Sequence, residues 1–174
     1  EIGSGNIGAT NALRTGNKLV GYTTLILDIV KAIIPVIYVK MNYPELIYIA
    51  SLCAFLGHVF PLWLKFKGGK GVGTLGGMLI ALFPTAFPFC LAIAIITIIL
   101  TGYVSLASIL ASVSLPIFLF ILPPFFGVNP APLSLMVFSL LIPWFITFTH
   151  RSNIQRLRSG EENRFEKAMI FRKK

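Results

Sequence analysis

The amino-acid sequence consists of long apolar runs separated by short polar segments. Hydrophobic residues follow one another within each run and do not alternate with polar ones, which favours membrane-spanning helices over the strands of a barrel. The pattern therefore predicts an all-α integral membrane protein, a polytopic helical bundle. Six helices are predicted, over residues 19–39, 46–64, 72–83, 86–101, 104–122 and 133–149.

The apolar stretch from residue 72 to residue 122 is too long for one membrane helix. Pro84, Pro88 and Gly102 interrupt it, and Pro116 marks a kink. These breaks divide the stretch into three helices. The first two are shorter than the roughly 20 residues that a bilayer requires, so both are predicted as short spans.

Composition agrees with a membrane location. Hydrophobic residues make up 56% of the chain and charged residues 12%, whereas a soluble domain carries about 25% charged residues. Residues 72–149 include no acidic, basic or histidine residue, which excludes a water-facing surface of that length. The first predicted helix carries Asp28 and Lys31, three residues apart, where they can neutralise each other on one helix face.

The net charge is +9, and the basic residues lie between and after the apolar runs. This distribution favours an anionic substrate or a lipid headgroup over nucleic acid. Four predicted helices separate the lysines of segment 65–71 from the arginines that follow residue 150, so the positive-inside rule places both on the cytoplasmic side. Segment 1–18, predicted as a loop, falls on that side as well. The polar segments are therefore expected at one face of the bundle.

Segment 65–71 combines glycines with lysines directly beside apolar sequence. Glycine lets the backbone turn its N–H groups inward, and lysine adds positive charge, so the segment is predicted to cradle a phosphate. It is not a Walker A loop, because Leu64 stands at the first glycine position and Gly71 follows the lysine. A flexible basic loop is the alternative interpretation. The residues concerned are Lys65, Lys67, Gly68, Gly69, Lys70, Gly71 and Gly73.

The first polar segment contains a Gly-x-Gly-x-x-Gly pattern at residues 3–8. No strand precedes it, so a dinucleotide site is not supported, but a glycine nest for a phosphate is. Arg14 can complete such a nest with two parallel hydrogen bonds, which lysine cannot offer.

The C-terminal segment places His150 at the end of the last predicted helix, with Asn153 one turn below it if the chain continues as a helix. An interfacial hydrogen-bonding role for His150 is the alternative to a catalytic one. Residues after Gly160 space Phe165, Met169 and Phe171 among charges. This spacing predicts either an amphipathic helix on the membrane or a frayed polar tail.

Three motifs, GSGNIGATNALR at 3–14, GHVFPLWLKFKGGKGVGT at 57–74 and HRSNIQRLRSGEENRF at 150–165, follow one another in the chain. Together they resemble the bacterial acyl-phosphate-dependent glycerol-3-phosphate acyltransferase family, the PlsY type. The resemblance extends over essentially the whole chain and includes Asp28, Lys31 and the segment YVSLASI at 103–109. Gly73 departs from the alanine, and Gly102 from the arginine, that are usual there.

The resemblance implies a single transmembrane acyltransferase domain over residues 1–174, lacking the first of the family's seven helices. It implies transfer of a fatty acyl group from acyl phosphate to the 1-hydroxyl of sn-glycerol 3-phosphate, giving lysophosphatidic acid and phosphate, the first committed step of phospholipid synthesis. No metal or cofactor is expected. The setting is the bacterial inner membrane, with the active site on the cytoplasmic face and the acyl phosphate supplied by a peripheral phosphate acyltransferase.

Site residues carried over from the family fall within the three motifs. The expected catalytic residues are Ser4, Arg14, Lys70, His150 and Asn153. The expected substrate and phosphate contacts are Gly3, Gly5, Asn6, Gly8, Thr10, Asn11, His58, Lys67, Gly68, Gly69, Gly71 and Glu162. Glu162 has a structural alternative, an ion pair with Arg151 or Arg156.

No catalytic nucleophile is evident in the sequence. Cys53 and Cys90 lie in apolar runs without metal or redox spacing and are predicted to be reduced packing residues. The His-x4-Asp pair of other acyltransferases is missing, since Trp63 follows His58 at that distance and Gln155 follows His150. Direct attack by the glycerol hydroxyl is therefore predicted, with the departing phosphate, His58 or His150 as the base.

Two other functions remain open from the sequence. A transporter of a phosphate-bearing solute would also carry broken helices and basic mouths, although no inverted repeat is visible. A lipid-binding membrane module without catalysis would need basic loops, but not the pattern of Ser4, Asn6, Thr10 and Asn11.

Overall fold

The computed structural model describes residues 7–14, 16–125 and 132–170, and at 14, 121–125 and 167 it describes the backbone. Within these ranges the chain is helical and contains no strand. It divides into two compact units, Glu1–Pro84 and Thr85–Lys174. The helices are α1 (Ala9–Arg14), α2 (Lys18–Asn42), α3 (Ile47–Val59), α4 (Val72–Leu82), α5 (Phe87–Thr101), α6 (Val104–Phe125), α7 (Leu133–Thr149) and α8 (Arg151–Ser159).

The six predicted apolar helices are confirmed as α2 to α7, with ends that shift by a few residues. The loop predicted for residues 1–18 is wrong in its second half, because α1 forms there and a separate cap begins α2. The side chain of Asn17 provides that cap by accepting a hydrogen bond from the backbone N–H of Val20 at 3.0 Å.

The amphipathic helix predicted after Gly160 is also wrong for the described residues, and Phe171 lies outside them. This segment forms one 3-10 turn, Glu166–Ala168, and runs back along the α5–α6 turn. The Phe165 N–H donates to the Gly102 carbonyl at 2.7 Å, and the Ile170 N–H donates to the Ile99 carbonyl at 3.2 Å. Because these backbone bonds are satisfied within the protein, the segment does not need helical hydrogen bonds of its own.

Not every apolar helix has the length of a bilayer crossing. Among the described residues, Lys18–Asn42 and Pro44–Leu64 are long and apolar enough, and α7 with α8 forms a third candidate that bends by 60°. At 1.5 Å per residue, α4 is only about 16 Å long against a hydrocarbon core of about 30 Å. The predicted shortness of the first two helices after residue 72 is therefore confirmed, at 11 and 15 residues, and their crossing of the membrane stays a prediction.

In the first unit, α2 packs closely against α4. A Cβ added at Gly77 would overlap the backbone carbonyl of Ile29, and one added at Gly73 would lie 2.8 Å from the Asp28 Cβ. Glycine at these positions therefore lets the two helix backbones approach each other. At the other end of the pair, the Lys40 ammonium donates to the Ala81 carbonyl at 2.8 Å, where a cation is favoured by the helix dipole.

In the second unit, α6 packs against α5 and α7 around buried apolar side chains such as Leu115 and Ile146. Hydroxyl groups are buried in these helices as well. Ser112 donates to the Ile109 carbonyl at 2.8 Å, and Ser139 to the Met136 carbonyl at 2.6 Å. Satisfying each hydroxyl within its own helix keeps a polar group tolerable in an apolar environment.

Candidate active site

The loop between α3 and α4 folds back onto the end of α3. The Gly68 N–H donates to the Val59 carbonyl at 3.1 Å, and the Gly69 N–H donates to the His58 carbonyl at 3.2 Å. These two bonds fix the position of the segment Gly68 to Gly71, which we call the glycine cradle. The cradle leads directly into the first turn of α4.

Glycine is required in the cradle mainly because there is no space for a side chain. A Cβ at Gly68 would overlap the carbonyl oxygens of both His58 and Val59, and a Cβ at Gly69 would overlap the imidazole of His58. Gly71 has the additional reason of a left-handed backbone, with φ of 81°, where it begins α4. The sequence predicted these glycines from backbone freedom, whereas close packing applies to all three, since a Cβ at Gly71 would overlap the ring of Phe55.

His58 is held by two charged groups of α2. Its Nδ1 lies 2.6 Å from the Lys31 ammonium nitrogen and 3.4 Å from Oδ1 of Asp28, and Lys31 donates to the same Asp28 oxygen at 2.6 Å. Because an ammonium group only donates, Nδ1 accepts this hydrogen bond and the lone pair of the neutral ring is occupied. The other edge of the ring then lies against the cradle at Gly69.

The predicted pairing of Asp28 with Lys31 is thereby confirmed, and it has a third member that sequence spacing did not indicate. His58 is 27 residues from Lys31 in the chain, so the contact depends on the packing of α3 on α2. The three side chains link α2 to the end of α3, where the cradle folds back.

Lys67, which precedes the cradle, is exposed, and Lys70, which lies within it, is half-buried. The first N–H groups of α4 follow them, and a helix N-terminus favours a bound anion. Thr74, in the first turn, is fully buried, and its hydroxyl has no hydrogen-bond partner among the described residues. Thr74 was not predicted as a site residue, although it ends the second motif.

Of the first motif, Gly8, Thr10 and Asn11 lie within the described residues. The Gly8 carbonyl accepts hydrogen bonds from the N–H groups of Asn11 and Ala12, at 3.0 and 3.3 Å, so Gly8 starts α1. Thr10 and Asn11 are partly buried in that helix, which packs on α2. Arg14 ends α1, with its backbone described. The predicted contacts at Gly3, Ser4, Gly5 and Asn6 lie outside the described residues.

The third motif begins at the bend between α7 and α8. His150 occupies the bend and is only 2% exposed. Its Nδ1 lies 2.8 Å from the Ile146 carbonyl, which only accepts, so Nδ1 carries the hydrogen. In the neutral ring Nε2 then carries the lone pair, which is the arrangement that a proton acceptor needs.

Glu162 organises the rest of this motif through its two carboxylate oxygens. Oε1 accepts from Nδ2 of Asn153 at 2.7 Å and from the hydroxyl of Ser105 at 2.9 Å, while Oε2 accepts from Nε of Arg156 at 2.8 Å. Gly160, with φ of 77°, ends α8 and lets the chain turn back to make these contacts. We call these four side chains the Glu162 cluster.

The cluster fixes the orientation of the Asn153 amide. A carboxylate cannot donate, so the NH2 group must face Glu162 and Oδ1 must point elsewhere. Asn153 is 4% exposed, and its Oδ1 has no partner among the described residues. A buried acceptor without a donor is costly, which is typical of a functional site. Ser105 was not predicted, although it belongs to the segment YVSLASI.

The cluster also sets the charge of Glu162. Burial alone would raise the pKa of its carboxyl group, but hydrogen bonds from Asn153, Ser105 and Arg156, together with the charge of Arg156, outweigh burial and hold the pKa below its usual value. The ion pair with Arg156, one of the two partners predicted as a structural alternative, is confirmed at 2.8 Å.

We expect this lowered pKa to make stability depend on pH. Because the folded pKa lies below the unfolded value of about 4.3, ionised Glu162 contributes stability above that value and loses it as the pH falls through the folded pKa. The wild type should therefore have a higher melting temperature in detergent than Glu162→Gln. This difference in melting temperature should be constant near neutral pH and should shrink below about pH 4. An equally large difference at acidic pH would contradict the assignment.

The fold and these two groups of residues define an integral membrane protein with a glycine- and lysine-rich loop and a buried polar cluster around Glu162. The family model for glycerol-3-phosphate acyltransferase matches residues 1–160. A glycerol-3-phosphate acyltransferase of Pelagibacter ubique is 50% identical over 94% of this chain and 81% of its own length, and one of Geotalea daltonii is 46% identical over 95% and 82%. The chain belongs to the glycerol-3-phosphate acyltransferase family.

Solved structures agree with this membership. The crystal structure of PlsY (YgiH), an integral membrane glycerol 3-phosphate acyltransferase in its glycerol 3-phosphate form, matches with a TM-score of 0.84 and 35% identity over 94% of this chain and 80% of that one. The lysophosphatidic acid form of the same protein matches with a TM-score of 0.82 and 34% identity. These matches establish the membrane-helical fold for this chain.

Proposed function

We propose that this protein transfers a fatty acyl group from acyl phosphate to the 1-hydroxyl of sn-glycerol 3-phosphate. The products are lysophosphatidic acid and inorganic phosphate. The observation that carries the proposal is a 50% identical relative that has this acceptor in its name. The glycine cradle supports it, because its hydrogen bonds to α3 hold Lys70 beside the N-terminus of α4. The acyl-phosphate donor rests on the resemblance of the three motifs.

The chemistry proposed is direct. The glycerol hydroxyl attacks the carbonyl carbon of the mixed anhydride, a carbon–oxygen ester bond forms, and the bond between that carbon and the phosphate oxygen breaks. The donor is already activated, so no enzyme nucleophile is required. Cys90 is buried in the second unit, as a packing residue should be. Cys53 is exposed, so its predicted packing role is wrong, and it lies on an apolar segment long enough to cross a bilayer.

The phosphate groups are proposed to bind at basic and glycine-rich segments. The N–H groups at the start of α4, with Lys67 and Lys70, suit one phosphate, whereas the N–H groups of Gly68 and Gly69 already donate to α3. The first motif, with Ser4 and Arg14, is proposed for the other. Stabilising the charge that develops on the carbonyl oxygen and the departing phosphate is the main catalytic task of these groups.

The hydroxyl proton is proposed to end on the departing phosphate, either directly or through His150. In the neutral ring of His150 the acceptor atom is Nε2, because Nδ1 faces the Ile146 carbonyl. The Nδ1 lone pair of His58 accepts from Lys31. His58 is therefore proposed as a support of the cradle rather than a base. The unpartnered Oδ1 of Asn153 suits the acceptance of a hydrogen bond from the glycerol hydroxyl, orienting it for attack.

The activity test uses the purified protein in detergent with palmitoyl phosphate and glycerol 3-phosphate, and no added metal or nucleotide. We expect release of inorganic phosphate that depends on both substrates, with one lysophosphatidic acid formed per phosphate. Phosphate release is followed continuously, and the lipid is quantified by mass spectrometry.

Reactions that lack either substrate are the controls for hydrolysis of the donor. Activity with an acyl thioester but not with palmitoyl phosphate would overturn the donor assignment and keep the acyltransferase. Binding of glycerol 3-phosphate without any product would favour the transporter, which a flux assay in proteoliposomes would then test.

The setting proposed is the bacterial cytoplasmic membrane with the basic segments facing the cytoplasm, as the positive-inside rule predicts. Acyl phosphate is an amphiphile and an activated compound. We propose that a peripheral phosphate acyltransferase supplies it at that face.

A further inference from the structure

A short segment before the glycine cradle exposes large apolar side chains beside lysines. Leu62, Trp63 and Phe66 are 73%, 79% and 59% exposed, and Lys65 and Lys67 are exposed as well. We call residues 62–67 the Trp63 loop. Such a surface is unfavourable in water, because each large side chain left exposed forgoes about 1.5–3 kcal/mol of burial energy.

The Trp63 loop has a defined shape. Leu62–Leu64 forms a 3-10 turn, and Lys65 and Phe66 both adopt left-handed backbone angles, with φ of 51° and 62°. Non-glycine residues rarely adopt this conformation. Hydrogen bonds hold it in place: the N–H of Phe66 donates to the Pro61 carbonyl at 3.0 Å, and that of Lys67 donates to the Leu64 carbonyl at 3.0 Å. The exposed ring of Phe66 therefore stands between Lys65 and Lys67 in a turn of fixed conformation.

Chain continuity places the Trp63 loop at the membrane surface. The apolar segment Pro44–Leu64 is long enough to cross a bilayer, and the loop is its final part and its continuation into the cradle. Tryptophan is enriched at the level of lipid headgroups, and lysine contributes attraction to anionic lipids there. The apolar rings and the positive charges therefore match one environment.

We propose that the Trp63 loop docks into the headgroup layer and binds anionic phospholipid headgroups through Lys65. Its apolar side chains enter the upper acyl region while the ammonium group of Lys65 stays among the phosphates. Since Gly68 follows directly, docking holds the cradle at the depth of the headgroups. If the proposed function is correct, an amphiphilic donor and product then meet the site without leaving the membrane; the docking itself does not depend on that function.

Tryptophan fluorescence tests the position of the loop. The chain has two tryptophans, so Trp144→Phe leaves Trp63 as the only one. In nanodiscs, we expect strong quenching by phosphatidylcholine brominated near the headgroup end of the acyl chain and weak quenching by aqueous iodide. Trp63→Phe provides the same information by difference from the wild type, should the first variant not fold.

Iodide quenching that exceeds lipid quenching would overturn the proposal and leave the loop available to a soluble partner. Protection from both quenchers would also overturn it, because the loop would then be covered by protein.

A charge variant tests the lipid preference. We expect the shift of Trp63 emission that phosphatidylglycerol produces to require roughly fivefold more of that lipid in Lys65→Gln. Arg158→Gln, which removes an exposed positive charge from α8, is the matched control and should leave the titration unchanged. Equal effects of the two variants would show that only net charge matters and would contradict headgroup binding at the loop.

Discussion

Replacement of Gly68 by alanine is expected to raise the KM for glycerol 3-phosphate by roughly tenfold or more. Overpacking costs about 1–3 kcal/mol, and about 1.4 kcal/mol corresponds to a tenfold change in affinity. The added methyl group would overlap the carbonyl oxygens of His58 and Val59, which are backbone atoms and cannot rotate away. The cradle would have to leave the end of α3. Lys70 and the N-terminus of α4, which follow Gly68 in the chain, would then lose their positions toward the bound phosphate. Steady-state kinetics with each substrate varied in turn measures the effect.

Gly57→Ala is the control for this experiment, because Gly57 lies in the same helix end and an added Cβ there meets nothing within 4 Å. It should leave both KM values unchanged. A rise in the KM of acyl phosphate alone in Gly68→Ala would assign the cradle to the donor. Unchanged kinetics would contradict a role of the cradle in phosphate binding.

Replacement of Glu162 by glutamine is expected to lower kcat by roughly ten- to hundredfold, because a displacement of a catalytic group by about 1 Å can lower the rate by about that much. The glutamine NH2 group would face donors of Asn153, Ser105 or Arg156, so at least one hydrogen bond would be lost and the Asn153 amide would be free to turn. Glu162 is almost fully buried, so stability should also fall by about 2–3 kcal/mol.

Glu161→Gln removes the same charge from the neighbouring exposed residue and should leave kcat and thermal unfolding almost unchanged. If Glu162→Gln lowers stability but leaves the kcat of the folded fraction intact, the cluster is structural only. Glu162→Asp, which retains the charge at a shorter reach, should recover part of the activity of the glutamine variant if orientation of Asn153 is what matters.

The helices were predictable because apolar runs and their breaks are local properties of the sequence. Proline at 84 and glycine at 102 end helices for reasons that act within a few residues. The glycines and lysines of segment 65–71 likewise predicted a phosphate site, which stays a prediction. The role of Gly68 as a spacer was not predictable, because it depends on carbonyl groups of α3 that fold back onto it.

Contacts between distant residues account for most of what the sequence could not predict. Ser105 meets Glu162 across 57 positions of the chain, and His58 meets Lys31 across 27. The segment after Gly160 has an amphipathic spacing, yet its backbone bonds to the α5–α6 turn decide its conformation. Periodicity describes one element at a time, and these features depend on how elements pack.

The pairing of Asp28 with Lys31 within one helix also bears on how the protein enters the membrane. An unpaired charge at the centre of a spanning helix raises the cost of insertion by about 2.5–3.5 kcal/mol. Because α2 carries its own counter-ion at 2.6 Å, it can pass into the bilayer as a neutral unit before α3 has been synthesised. His58 then joins a pair that already exists, so the order of synthesis along the chain is also a workable order of assembly.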